Sequence, residues 1–140
     1  MSQYEMALRQ YLSEFDGAKK DFSAVEDKFN ALFHDKFSVT FEEGEDFSRE
    51  DMKSMHAGFL TKGAKITLIH LRKIGLNCLD VKFTAQAEGE EDQTIHLVYT
   101  IEDEKIVQAQ EVDSIGSVIK ARLKSTLKVY QNMATFGTNM

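Results

Sequence analysis

The sequence predicts an α+β fold in which N-terminal helices cover one face of a four-strand antiparallel meander. Three observations predict it. Apolar residues recur at helical spacing through the first half of the chain, broken by one short alternating stretch. From residue 64 the period falls to two and stays there to residue 112. Turn signals cut that region into strands of similar length.

The elements follow in order. Residues 2–15 read as a helix, because Tyr4, Leu8, Tyr11, Leu12 and Phe15 share one helical face. The Ser23-x-x-Glu26 spacing reads as a capping box for a second helix with Phe22, Val25, Phe29, Leu32 and Phe33 as its apolar face. The stretch "KFSVTFEE" alternates like a strand, and "GEDF" reads as a turn. Ser48-x-x-Asp51 caps a third helix carrying Met52, Met55, Phe59 and Leu60, with Gly63 at its C-cap. "AKITLIHLRKI", "LNCLDVKFTAQAE", "QTIHLVYTIED" and "KIVQAQEV" then read as successive strands. Asp113 or Ser114 can cap a last helix with Ile115, Val118, Ile119, Leu123, Leu127 and Tyr130 along one face.

Composition narrows the class. With 140 residues, 42% apolar and 29% charged, the chain suits one globular domain. The start lacks a continuous apolar run and no stretch is long enough to span a bilayer, so a soluble cytoplasmic protein is expected. A single cysteine, Cys78, precludes an intrachain disulfide. The net charge of −6 argues against nucleic acid as a partner. Residues 114–140 carry Lys120, Arg122, Lys124 and Lys128 and no acid, so residues 1–113 carry a net −10. That basic helix is suited to docking on an acidic surface, on its own sheet, or on a second copy.

A register follows if Asp103-Glu104 is a two-residue turn. His96 then faces Glu111 across the last hairpin. Turns at "GEED" and at Ile74-Gly75 extend that face to Ile66, Leu68, His70, Leu79, Val81, Phe83, Ala85, Val98, Val107 and Ala109. The opposite face gathers Asp80, Lys82, Thr84 and Gln86 beside Ile95, Leu97, Tyr99 and Ile101, a half-apolar surface suited to a dimer contact.

Over residues 4–113 this order of elements resembles the nuclear transport factor 2-like superfamily and its SnoaL-like group. The resemblance rests on the helical N-terminus, on "FSVTFEEGEDFSREDMKSMHAGFL", and on four long strands ending in "DEKIVQAQEV". It implies a cone in residues 1–113: a curved antiparallel sheet wrapped around the N-terminal helices with an apolar pocket inside. The C-terminal helix expected in residues 114–140 is an extension beyond that cone. The resemblance also implies a homodimer through the outer sheet face. Activities in the superfamily include polyketide cyclisation, ketosteroid isomerisation, epoxide hydrolysis and dehydration. Limonene-epoxide hydrolases and SnoaL-like cyclases carry an acid–base aspartate near the end of the final strand, and Glu111 matches that position, with glutamate in place of aspartate.

His96 and Glu111 are therefore the catalytic candidates, since cross-strand partners have Cβ atoms ~4.5–5.5 Å apart and a carboxylate raises an imidazole's basicity. Tyr11, Phe29, Phe33, Phe59, His70, Phe83, Val98 and Ala109 are the expected lining of a pocket for a small, mostly apolar organic molecule. His34 and His56 lack metal-ligand spacing, so no metal is expected, and no cofactor motif is visible. The rival reading is a non-catalytic protein-binding or assembly module. In that case Phe29, Phe33, Phe59 and Phe83 would fill the cone.

Overall fold

The computed structural model describes residues 3–41 and 44–112. The expected C-terminal helix and its four basic residues lie outside the described residues.

Among the described residues, three helices pack inside an open, curved, six-stranded sheet. α1 (Gln3–Ser13) buries Leu8, Tyr11 and Leu12, the helical stripe read from the sequence. A 3-10 turn, Phe22–Ala24, is capped by Asp21, whose carboxylate accepts from the Ser23 backbone N–H. α2 (Glu26–Leu32) follows without a side-chain cap. The expected Ser23–Glu26 box is thus replaced by the Asp21 cap, and Glu26 instead pairs with Lys53 at 3.0 Å.

β1 (Phe33–Thr40) starts three residues earlier than its alternation suggests, directly from α2. Part of the expected "GEDF" turn forms a short strand, β2 (Asp46–Ser48), which folds back on β1. α3 (Arg49–Thr61) begins at the expected capping box: Ser48 Oγ accepts from the Asp51 N–H, and Asp51 accepts from the Ser48 N–H. It ends in a Schellman motif, with Gly63 N–H on Leu60 O and Ala64 N–H on Phe59 O.

β3 (Lys65–Lys73), β4 (Cys78–Gln86), β5 (Gln93–Glu102) and β6 (Lys105–Glu111) form the meander. The sheet order is β2-β1-β6-β5-β4-β3. β1 runs parallel to β6, so the sheet is mixed and not purely antiparallel. No described helix is long and apolar enough to cross a membrane.

Within the meander, two β-bulges and the hairpin loops set the register. The Asp103-Glu104 turn forms as expected, pairing Glu102 with Lys105 and Ile101 with Ile106. Val107 is then an extra residue, so Thr100 pairs with Gln108 and Leu97 with Glu111. In β3, Ile69 is likewise extra: Leu68 pairs with Phe83, but His70 pairs with Lys82. The β4–β5 loop pairs Ala85 with Gln93 and Lys82 with His96, an odd offset from the expected register. Each one-residue offset moves side chains to the other face.

The inner face therefore carries Leu71, Leu79, Val81, Phe83, Leu97, Tyr99 and Ala109, all buried. Val98, His70 and His96, expected inside, stand on the outer face with Asp80 and Lys82. Leu97 and Tyr99, expected outside, point into the core. Ile101, also expected outside, is buried with them.

Candidate functional site

A cavity of about 110 Å³ lies between the helices and the sheet. α1 supplies Leu8, Tyr11 and Leu12, and Phe15 follows just beyond its end. α3 supplies Met52, Met55, His56 and Phe59, and β4 and β5 close the floor with Phe83, Leu97 and Tyr99. The mouth opens by the β4–β5 hairpin, where Lys62, Gln86, Glu90, Glu91 and Gln93 form a polar rim.

Within this apolar lining one polar pair stands out. The Tyr11 hydroxyl lies 2.6 Å from Nδ1 of His56. Both rings sit in an aromatic nest with Phe15, Phe29 and Phe33. Burial raises the Tyr11 phenol, and the neighbouring Tyr99 raises it further. Burial also raises Tyr99 and holds the His56 imidazole down to about 3. All three groups are therefore neutral near pH 7. With the imidazole proton on Nε2, Nδ1 accepts from the Tyr11 hydroxyl. With it on Nδ1, the imidazole donates to Tyr11, which is then free to donate to a third group.

A second cluster occupies the outer face. Asp80, only 6% exposed, accepts a hydrogen bond at Oδ1 from Nε2 of His96 and a 3.0 Å bond at Oδ2 from Nε of Arg72. Nε2 of His70 lies 3.1 Å from Oδ2. The two imidazoles meet edge to face, with centroids 5.5 Å apart. Burial would raise the Asp80 carboxyl, but its polar contacts with His96, His70 and Arg72 prevail and hold it down to about 2.

No family model matches the chain, and no curated protein matches it in sequence. Solved structures do match its shape. A de novo designed protein with a curved β-sheet superposes at TM-score 0.65 and 14% identity, over 92% of this chain and 99% of that one. An NTF2-like protein of unknown function from Cytophaga hutchinsonii superposes at TM-score 0.57 and 10% identity, over 80% of this chain and 90% of that one. The chain has the nuclear transport factor 2-like fold. A protein from Jannaschia described as a SnoaL-like polyketide cyclase shares this fold at TM-score 0.58 and 12% identity, over 85% and 90% of the two chains.

On this nuclear transport factor 2-like frame the expected site residues separate. Tyr11, Phe33, Phe59 and Phe83 line the cavity. Phe29 and Ala109 are fully buried in the core behind it. His70 and Val98 face outward. His96 and Glu111 do not pair: Glu111, 3% exposed, shares the inner face with its partner Leu97, whereas His96 faces outward to Asp80. The Val107 bulge and the β4–β5 loop offset are the physical causes.

Sequence reading passed over His56 and Tyr99. His56 was legible from its spacing, since it lies between Met52 and Phe59 on the apolar side of α3. Tyr99 was legible from β5 itself, where Ile95, Leu97, Tyr99 and Ile101 form a more apolar set than His96, Val98 and Thr100.

Proposed function

We propose that the protein binds one small, mostly apolar organic molecule in its interior cavity and holds that molecule's polar atom against Tyr11 and His56. The observation that carries this reading is the 2.6 Å Tyr11–His56 pair inside an otherwise apolar cavity. Such a cavity with few convergent polar groups is the usual form of a small-molecule site. Its size is suited to about one aromatic ring, since a dry apolar cavity of ~150 Å³ takes up benzene.

The polar groups favour a neutral carbonyl or hydroxyl. A carboxylate held against Tyr11 and His56 would lie among apolar side chains, with Lys62 out on the polar rim, which is costly. Acid–base catalysis is less well served. General acids and bases work best with pKa values near the ambient pH, and both Tyr11 and His56 are pushed far from it. Binding is therefore the activity these two residues support best. The structural neighbour described as a polyketide cyclase is consistent with a fold that encloses carbonyl compounds.

The test uses acetophenone and ethylbenzene, a ketone and its near-isosteric hydrocarbon, in ligand-observed NMR titrations. Acetophenone should bind more tightly than ethylbenzene. Tyr11→Phe should weaken acetophenone by roughly fivefold to tenfold, the worth of one net hydrogen bond, and leave ethylbenzene almost unchanged. If neither compound binds, or if Tyr11→Phe affects both equally, the reading is wrong.

A further inference from the structure

We propose that the outer sheet face binds a zinc-type divalent cation between Nε2 of His70, Nε2 of His96 and the carboxylate of Asp80. The three ligating groups come from β3, β5 and β4, and their ligand atoms lie within 4.8 Å of one another. Zn–N and Zn–O bonds of about 2.0–2.2 Å put tetrahedral ligands roughly 3.3 Å apart. Small side-chain rotations close that gap, because both imidazoles already place Nε2 beside the same carboxylate.

The backbone is arranged to make this convergence. In an unbroken β3, His70 would follow Leu68 onto the inner face. The extra residue Ile69 turns His70 outward instead, at the cost of leaving Ile69 53% exposed. Bulges commonly serve to re-aim a side chain in this way. His70 Nε2 is buried and close to Asp80, yet it is not aligned for a hydrogen bond with any group. A metal ion on its lone pair would satisfy that atom.

Two imidazoles and one carboxylate suit zinc, cobalt or nickel better than magnesium or calcium, which take all-oxygen shells. Three protein ligands leave a fourth position for water. Two cations oppose the site. Arg72 holds Asp80 Oδ2 at 3.0 Å, but its side chain is 64% exposed and can swing into solvent. Lys82 lies between His70 and His96 in the same cross-strand row. These charges make Arg72 a direct competitor of the metal, and that competition can be measured. None of the four histidines is spaced as a local metal motif, because these ligands come from separate strands.

The experiment titrates the chelator-treated full chain with Co(II), followed by visible absorption, and with Zn(II), followed by calorimetry. One Co(II) per chain should bind with the intense bands of a four-coordinate site and be displaced by Zn(II). His70→Gln and His96→Gln should each weaken binding by more than about tenfold. Arg72→Gln, a surface change that keeps the fold, should tighten it several-fold, and His34→Gln should leave it unchanged. Absence of Co(II) and Zn(II) binding to the wild-type chain would overturn the proposal. So would binding that survives in the His70→Gln/His96→Gln double variant, or an Arg72→Gln variant that binds no better than wild type.

Discussion

The Tyr11 hydroxyl and the His56 imidazole are joined at 2.6 Å, tying α1 to α3 across the interior cavity. The bond links residues 45 positions apart in the sequence. Tyr11 is fully buried. Tyr11→Phe keeps the ring and leaves His56 without this partner. The loss should be about 1–3 kcal/mol, the cost of stranding a buried polar group. Urea unfolding should show a lower midpoint with an unchanged m-value.

His56 also makes the fold sensitive to acid. Burial holds its imidazole down to about 3, below the ordinary histidine value of 6.5. A depressed histidine leaves stability intact above pH 6.5. Below that, the unfolded chain binds the proton first, and stability falls until the pH reaches about 3. The expected loss across that window is of order a few kcal/mol. His56→Phe should flatten the slope of stability against pH between those limits, measured by urea unfolding at several pH values. An unchanged slope would show that His56 is not the responsible group.

The β5–β6 turn is strained at a specific position. Asp103 and Glu104 both have positive φ, at 51° and 65°. This is the type I′ hairpin geometry, which favours Asn-Gly or Asp-Gly. Glu104→Gly relieves left-handed strain worth about 1–2 kcal/mol, partly offset by about 0.5–1 kcal/mol of added unfolded-state entropy. The variant should be more stable by about 0.5–1 kcal/mol, seen as a rise in melting temperature.

Gly63 is the opposite case. It has φ +72, and an added Cβ would stand 2.9 Å from the Gly17 carbonyl oxygen. Gly63→Ala should destabilise the protein by about 2 kcal/mol, from backbone strain together with the steric clash. Gly17→Ala also places a side chain at positive φ, but its Cβ meets only Lys65 Cβ, at 3.9 Å. It should cost less. Chemical denaturation of the two variants side by side checks the difference.

Much of the fold was legible in local chemistry. The α1 stripe, the Ser48–Asp51 capping box, the Gly63 C-cap and the Asp103-Glu104 turn each depend on residues a few positions apart, and each is present. Tyr11, Phe59 and Phe83 were placed toward the interior for the same reason, since each lies in the apolar set of its own helix or strand; Phe33, expected on the second helix, reaches the cavity from β1 instead. The supposed His96–Glu111 partnership depended instead on how one strand is phased against the next. It fails because Val107 adds one residue to β6 and the β4–β5 loop pairs Ala85 with Gln93. His70 fails as a lining residue because of Ile69.

The sequence by itself determined most of the helices and strands, though not β2 or the start of β1, and, except across the Ile69 bulge, which residues within one element share a face. That information is local: a period of 3.6 or 2 is written in neighbouring residues. Only the tertiary structure decided which strand faces combine, and so which residues make a site. A single inserted residue reverses a strand's phase against its neighbour, and neither Val107 nor Ile69 differs in kind from the apolar residues beside it. Burial of the whole sheet against the helices selected the phase, placing Leu97 and Tyr99 inside and gathering His70, Asp80 and His96 outside.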